Sequence, residues 1–147
     1  MRVAIVCKSI HQGNTKKVAD AMAKVLKANV IEPEDANLDG YDLVGFGSGI
    51  YMWKHHKSLF NLVEKLTHKK GRKAFIFSTS GGGKVLGKGA HWRLRKPLEK
   101  KGFEISGEFN CKGLDTFGPL KLIGGVNKGR PNKGDLKNAR DFAKRLI

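Results

Sequence analysis

The chain has 147 residues, 39% of them hydrophobic, enough for a single domain (1–147) with a full core. Its formal net charge of +16 is the compositional outlier, and no apolar run approaches the ~18 residues that a membrane-spanning helix needs. Two cysteines, with no CxxC, no Cys/His cluster at zinc spacing and no HExxH, exclude the familiar metal and disulfide frameworks. Cys7 and Cys111 each close a strand-like run and read as buried core thiols. The opening residues carry no secretory pattern, so a cytoplasmic location is expected.

Val3 to Cys7 is too compact an apolar run for an exposed, alternating strand and reads as a strand buried on both faces. A polar turn, Lys8-Ser9-Ile10-His11-Gln12-Gly13-Asn14-Thr15, leads into an amphipathic helix with Val18, Ala21, Met22, Val25 and Leu26 on one face. Asn29 to Glu32 is a second short strand, stopped by Pro33, and a polar connection runs to Tyr41. Asp42 to Ser48 is the third strand, and Gly49 to His56 is the loop after it. A helix is predicted over 57–68, with Leu59, Phe60, Leu62, Val63 and Leu66 as its buried stripe. Lys73 to Ser78 is the fourth strand, leading into Thr79-Ser80-Gly81-Gly82-Gly83. A helical segment over 90–101 contains Pro97, which predicts a kink or two short pieces. Phe103 to Cys111 is the fifth strand, and 112–134 is a long Gly- and Pro-containing loop. Asp135 is the expected cap of a last helix whose face is Leu136, Ala139, Phe142, Ala143 and Leu146.

Short apolar strands alternating with helices imply an α/β fold, a doubly wound five-stranded parallel sheet with helices on both faces. Of the two common strand orders, five strands fit 2-1-3-4-5, which places a ligand where the winding reverses, between strands 1 and 3. Three loops then meet at the carboxyl ends of strands 1, 3 and 4. The first ends at a helix N-terminus, where unpaired N–H groups and the helix dipole favour an anion. Ser9, Gln12, Asn14 and Thr15 add donors, although the same residue types also make an ordinary helix cap. The second offers Tyr51, Met52 and Trp53, flat or polarizable groups suited to covering an aromatic ring, or to capping the core at a loop. The third offers Thr79, Ser80 and three glycines, which bring backbone donors and acceptors close to a planar ligand.

The first loop lacks the P-loop lysine and the three-glycine dinucleotide spacing. It resembles the phosphate loop of the flavodoxin family: a hydroxyl residue, a short polar stretch, Gly, a small polar residue, then Thr opening the helix. The resemblance spans the chain in element order, and it implies flavin mononucleotide (FMN) as cofactor. By that resemblance Ser9, His11, Gln12, Gly13, Asn14 and Thr15 are the phosphate binders. Ser48, Gly49, Ile50, Tyr51, Met52 and Trp53 form the loop on the isoalloxazine ring, and Thr79, Ser80, Gly81 and Gly82 lie at its pyrimidine edge. The third loop lacks the aromatic that many flavodoxins stack on the outer flavin face. The second loop is more similar to that of menaquinone-dependent protoporphyrinogen oxidases, which carry a long additional segment not found here. Phosphoacceptor receivers share the strand order but need acidic residues at the ends of strands 1 and 3, where this chain has Cys7-Lys8 and Ser48.

Residues 1–53 balance six Lys/Arg against six Asp/Glu, whereas residues 54–147 carry 23 Lys/Arg against seven Asp/Glu. A basic half beside a neutral one points to an acidic partner or to a solvated Lys-rich surface. Lys54, Lys57, Lys84 and Lys88 are expected near the flavin rim. His55 and His56, as sequence neighbours, diverge too far to share a metal and are expected in solvent. Three functions remain in play. The first is an FMN-binding electron carrier with an acidic redox protein as partner. The second is a small FMN-dependent oxidoreductase acting on a quinone or other small acceptor. The third is a basic nucleic-acid module built on Trp92 among Arg93, Arg95 and Lys96. No acid–base pair stands out in the sequence, which favours the carrier over the enzyme. The nucleic-acid module lacks a recognised motif and ranks last.

Overall fold

The computed structural model describes residues 1–9, 13–80, 84–113 and 129–147, with the backbone alone for 84–87. In chain order the elements are β1 (Val3–Lys8), α1 (Asn14–Leu26), β2 (Asn29–Ile31), a 3-10 turn (Pro33–Asp35), β3 (Leu43–Tyr51), β4 (Lys54–His55), α2 (Lys57–Lys65), β5 (Arg72–Ser80), α3 (Lys84–Lys100), β6 (Phe103–Lys112) and α4 (Lys133–Lys144). Five strands form a parallel sheet in the order β2-β1-β3-β5-β6, and β4 pairs antiparallel with the end of β3. With the hairpin strand set aside, this is the expected 2-1-3-4-5 winding, reversing between β1 and β3.

Strand alternation sorts the core into two layers. On one face Val3, Ile5, Cys7, Phe75 and Phe77 pack on Val18, Met22 and Leu26 of α1 and on Ala139, Phe142 and Ala143 of α4. On the other, Ala4, Val6, Val44, Phe46, Ala74 and Ile76 pack on Leu59, Leu62 and Val63 of α2 and Leu94 and Leu98 of α3. Apolar residues at consecutive positions are what a strand covered on both sides requires. Gly45 and Gly47 of β3 answer Phe75 and Phe77 of β5: a Cβ at either glycine would lie 2.3 Å from the facing ring. Both cysteines are buried free thiols, as expected, and burial raises each to a pKa of about 12.

Besides shifts of one or two residues at other strand ends, four elements differ from the sequence expectation. β3 does not stop at Ser48 but runs to Tyr51 and turns back through Met52-Trp53 into β4, so the expected loop is a hairpin. α2 ends at Lys65, three residues early, because Leu66 turns extended and leaves the helical stripe. α3 starts at Lys84 and continues through Pro97 without dividing. The proline sits in the last turn, where Lys101 N–H still reaches Pro97 O at 3.2 Å, so only one bond of the helical ladder is lost. α4 is capped by Asn132, not Asp135. Asn132 Oδ1 accepts from Asp135 N at 2.9 Å and Asp135 Oδ2 accepts from Asn132 N at 2.8 Å, a reciprocal capping box.

Candidate functional site at the carboxyl ends of the sheet

The loops after β1, β3 and β5 open at one end of the sheet, on either side of the winding reversal. Gly13 (φ +66°) turns the chain into α1, a left-handed conformation that disfavours a side chain there. The first turn of α1 holds no acidic residue. Ser9 Oγ accepts from Lys16 N at 3.3 Å, so the hydroxyl opening the loop lies against the helix N-terminus. Thr15 is buried, and its Oγ1 lies 2.8 Å from Thr79 Oγ1, tying the first loop to the third. Its hydroxyl is therefore engaged across the sheet end. His11 and Gln12 lie outside the described residues.

Ser48 is fully buried. Its Oγ accepts from His56 N at 2.9 Å, donates to Gly49 O at 2.7 Å and meets His55 Nδ1 at 3.0 Å. Gly49 and Ile50 are half-buried. Tyr51 folds back over Gly49, where a Cβ would come within 2.8 Å of the phenol oxygen, and its ring meets His56 edge-on at 5.7 Å. Met52 and Trp53 form the hairpin tip, 83% and 61% exposed, with φ of +50° and +66°. Two-residue hairpins need positive φ at both central positions, and Asn-Gly is their usual sequence. A Met-Trp pair there is strained, and strain of this kind gathers at functional sites.

Thr79 and Ser80 are buried at the end of β5, while Gly81 and Gly82 lie outside the described residues. Gly113, beyond β6, closes the corner: a Cβ there would stand 3.1 Å from Asn14 Nδ2 and 3.2 Å from Thr79 Cβ. The structure thus brings Ser9, Gly13, Asn14 and Thr15 together with Thr79 and Ser80. It sets Ser48, Gly49, Ile50 and Tyr51 on the adjoining strand, with Met52 and Trp53 projecting beyond.

The expectation of solvated histidines fails for His55. Its ring is buried and stacks on that of His91 from α3, centroids 5.1 Å apart. Burial drives the His55 pKa well below the imidazole range, with His91 adding to the effect. His91 Nε2 lies 2.7 Å from Ser78 Oγ and its Nδ1 3.3 Å from Glu108 Oε1. The His91 hydrogen bond is the main cause holding the Glu108 carboxyl below its usual value. These polar groups come from four elements and share no sequence spacing; one cue was the lone His91 between Ala90 and Leu94. Lys8 pairs with Glu34 at 3.0 Å, which removes it from the loop's charge. Among the described residues no group of three His, Cys, Asp or Glu could hold a metal, and no helix is long and apolar enough to cross a membrane.

A strand–loop–helix unit beside two further loops at the winding reversal of a parallel sheet ordered β2-β1-β3-β5-β6 is the arrangement of the flavodoxin-like class of α/β proteins. A flavodoxin domain family model matches residues 5–114, and the chain belongs to the flavodoxin family. An uncharacterized protein of Methanocaldococcus jannaschii is 47% identical over 150 residues, spanning 100% of this chain and 99% of its own. Among solved structures, a flavodoxin from the domain Archaea has a TM-score of 0.71 at 17% identity, covering 99% of this chain and 96% of that one. A Fusobacterium nucleatum flavodoxin, bound to flavin mononucleotide, has a TM-score of 0.69 at 12% identity, covering 99% and 97%. At such identities the likeness is one of fold.

Proposed function

We propose that the chain binds FMN at this site and carries electrons. The observation that carries the reading is the junction of the α1 N-terminus with the end of β5 through Thr15 and Thr79, beside the reversal between β1 and β3. The residues present fit the cofactor. A helix start without carboxylates, with Ser9 and the Gly13 turn, suits a phosphate dianion. The Gly49–Tyr51 edge and the Thr79–Ser80 edge suit a planar heterocycle with a polar rim. When bound, the flavin would supply the redox chemistry. The chain's own residues would fix the phosphate, orient the ring and limit water around it. The basic surface supports an acidic redox protein as partner.

Reconstitution tests this. The purified chain is expected to take up FMN with a perturbed visible spectrum, and to bind it at least ~100-fold more tightly than riboflavin, because charge-assisted phosphate bonds are worth roughly 1.5–3 kcal/mol each. Equal affinity for FMN and riboflavin would remove the phosphate site, and absence of flavin binding would remove the function.

A further inference from the structure

Ser48 and Ser78 are register partners on β3 and β5, and each hydroxyl meets one ring of the stacked pair, Ser48 with His55 and Ser78 with His91. The next residues along the two strands, Gly49 and Thr79, are also register partners and lead toward the proposed flavin cleft. Binding the cofactor gives this buried pair no task. Yet of the three buried side-chain polar atoms without a hydrogen-bond partner among the described residues, His55 Nε2 belongs to the pair and Asn110 Oδ1 to the amide that donates to Ser78. Apolar side chains of similar volume would hold the layer together without those unmet groups, so packing does not account for the cluster.

The tautomers follow from the partners. Glu108 Oε1 faces His91 Nδ1, so that nitrogen carries a hydrogen. Asn110 Nδ2 donates to Ser78 Oγ at 2.6 Å, so in the neutral ring with Nδ1 protonated the Ser78 hydroxyl hydrogen points to His91 Nε2 at 2.7 Å. His91 thus turns Nε2 toward the sheet and Nδ1 toward a carboxylate on its far side. His55 cannot share a positive charge with it across a 5.1 Å stack. Facing the pair are Glu108 from β6 and Arg95, one turn along α3 and bound to Glu108 at 3.0 Å. Lys88 and Lys112 line the groove beside His91. β3 and β5 present the neutral serine hydroxyls, and α2 presents Leu59, Leu62 and Val63 to the shared core.

We propose that His91 is a redox-linked proton site, the imidazole that gains a proton when negative charge is placed in the flavin cleft. This rests on the FMN reading above. As electrons reach the cofactor from a low-potential donor, one proton from a solvent acid bonds to His91 Nε2. The Ser78 hydroxyl changes from donor to acceptor, and the bond broken is the one that held the proton in the solvent acid. Glu108, its side chain 34% exposed, accepts from Nδ1 and stabilises the imidazolium, while His55 stays neutral. A unit charge about 10 Å away, at an effective dielectric of about 20, changes proton affinity by roughly tenfold.

The test follows the imidazole signals of the FMN-loaded protein by NMR across pH, oxidised and then reduced with dithionite, after the visible spectrum has established loading. The His91 midpoint is expected to rise by about one pH unit on reduction, while exposed His68 stays in place. Glu108→Gln should lower the His91 midpoint in both states. His91→Gln should remove the corresponding pH dependence from the flavin potential, a roughly tenfold change in the redox equilibrium per pH unit. A loaded protein whose His91 titrates alike in both redox states overturns the proposal even if no variant folds. So does a folded His91→Gln that keeps the parent's pH dependence. A chain that shows no flavin spectrum removes the FMN reading and this one with it.

Discussion

Thr15 Oγ1 and Thr79 Oγ1 lie 2.8 Å apart, joining the first turn of α1 to the end of β5 across 64 positions of sequence. Both residues are buried, at 2% and 5% exposure, so water does not compete for either hydroxyl. Gly113 packs on the same corner with room for a hydrogen and little more. The contact fixes the distance between two loops that a ligand would have to bridge.

Removing one hydroxyl strands the other. Thr15→Val and Thr79→Val are each expected to destabilise the fold by about 1–3 kcal/mol, and the double variant by less than the sum. Urea unfolding of the parent, the two single variants and the double variant completes the cycle. Simple additivity would mean that the two oxygens do not pair in solution.

The hairpin tip should trade stability against binding. Met52 and Trp53 hold positive φ without being glycine or asparagine, at about 1–3 kcal/mol each for residues so placed. Met52→Asn with Trp53→Gly is expected to raise the unfolding free energy by about 1–3 kcal/mol and to weaken FMN binding. Trp53 emission in the parent should fall when FMN is added. Unchanged affinity in the double variant, with unchanged emission in the parent, would remove the tip from the ring site.

The layered sheet was legible because its signal is local. Val3 to Cys7 is apolar at every position, and α1 repeats its apolar residues at helical spacing. Met52-Trp53 contains none of the residues that announce a two-residue turn, so the hairpin was hidden, and β3 was cut short at Ser48. The end of α3 was legible to within one residue, 101 expected and Lys100 found, but its start at Lys84 was obscured by Gly83, Gly87 and Gly89, which depress helix propensity. For the site, strand ends located the loops. The stack of His55 on His91 is a contact across 36 residues created by the winding of the sheet, and no spacing rule encodes it.

Asp135 should carry a share of the stability at acid pH. The Arg130 guanidinium is the main cause holding its carboxyl below the ordinary 3.8, and backbone donation from Asn132 acts in the same direction. A folded-state pKa below the unfolded one contributes stability above the unfolded value, and that contribution is lost as pH falls through the folded value. Asp135→Ala is expected to cost about 0.5–2 kcal/mol at pH 7 through the lost cap. The difference from the parent should shrink below about pH 4. Thermal unfolding at pH 7 and pH 3 checks both; a difference that is constant across that range would sink the electrostatic part.

Charge on one surface should govern encounter with an acidic redox partner. Lys54, Phe60, Trp92, Arg93 and Lys96 line a shallow recess of about 350 Å³ next to the hairpin. Trp92 is 58% exposed there, with Lys96 Nζ 4.5 Å from its ring centroid. Exposed Lys57 and Lys88 carry the same sign of charge, while the side chain of Lys84 lies outside the described residues. Long-range attraction between such a patch and an acidic protein raises the association rate by about 10–1,000-fold at low salt, and it fades once the screening length falls below about 10 Å. Stopped-flow electron transfer between the FMN-loaded chain and an acidic ferredoxin is therefore expected to slow at least several-fold from low to high salt. Lys54→Glu with Lys96→Glu should slow it at low salt and leave it near the parent's rate at high salt. Rates that are flat or rising with salt in the parent would leave these lysines as a solvated surface without a part in docking.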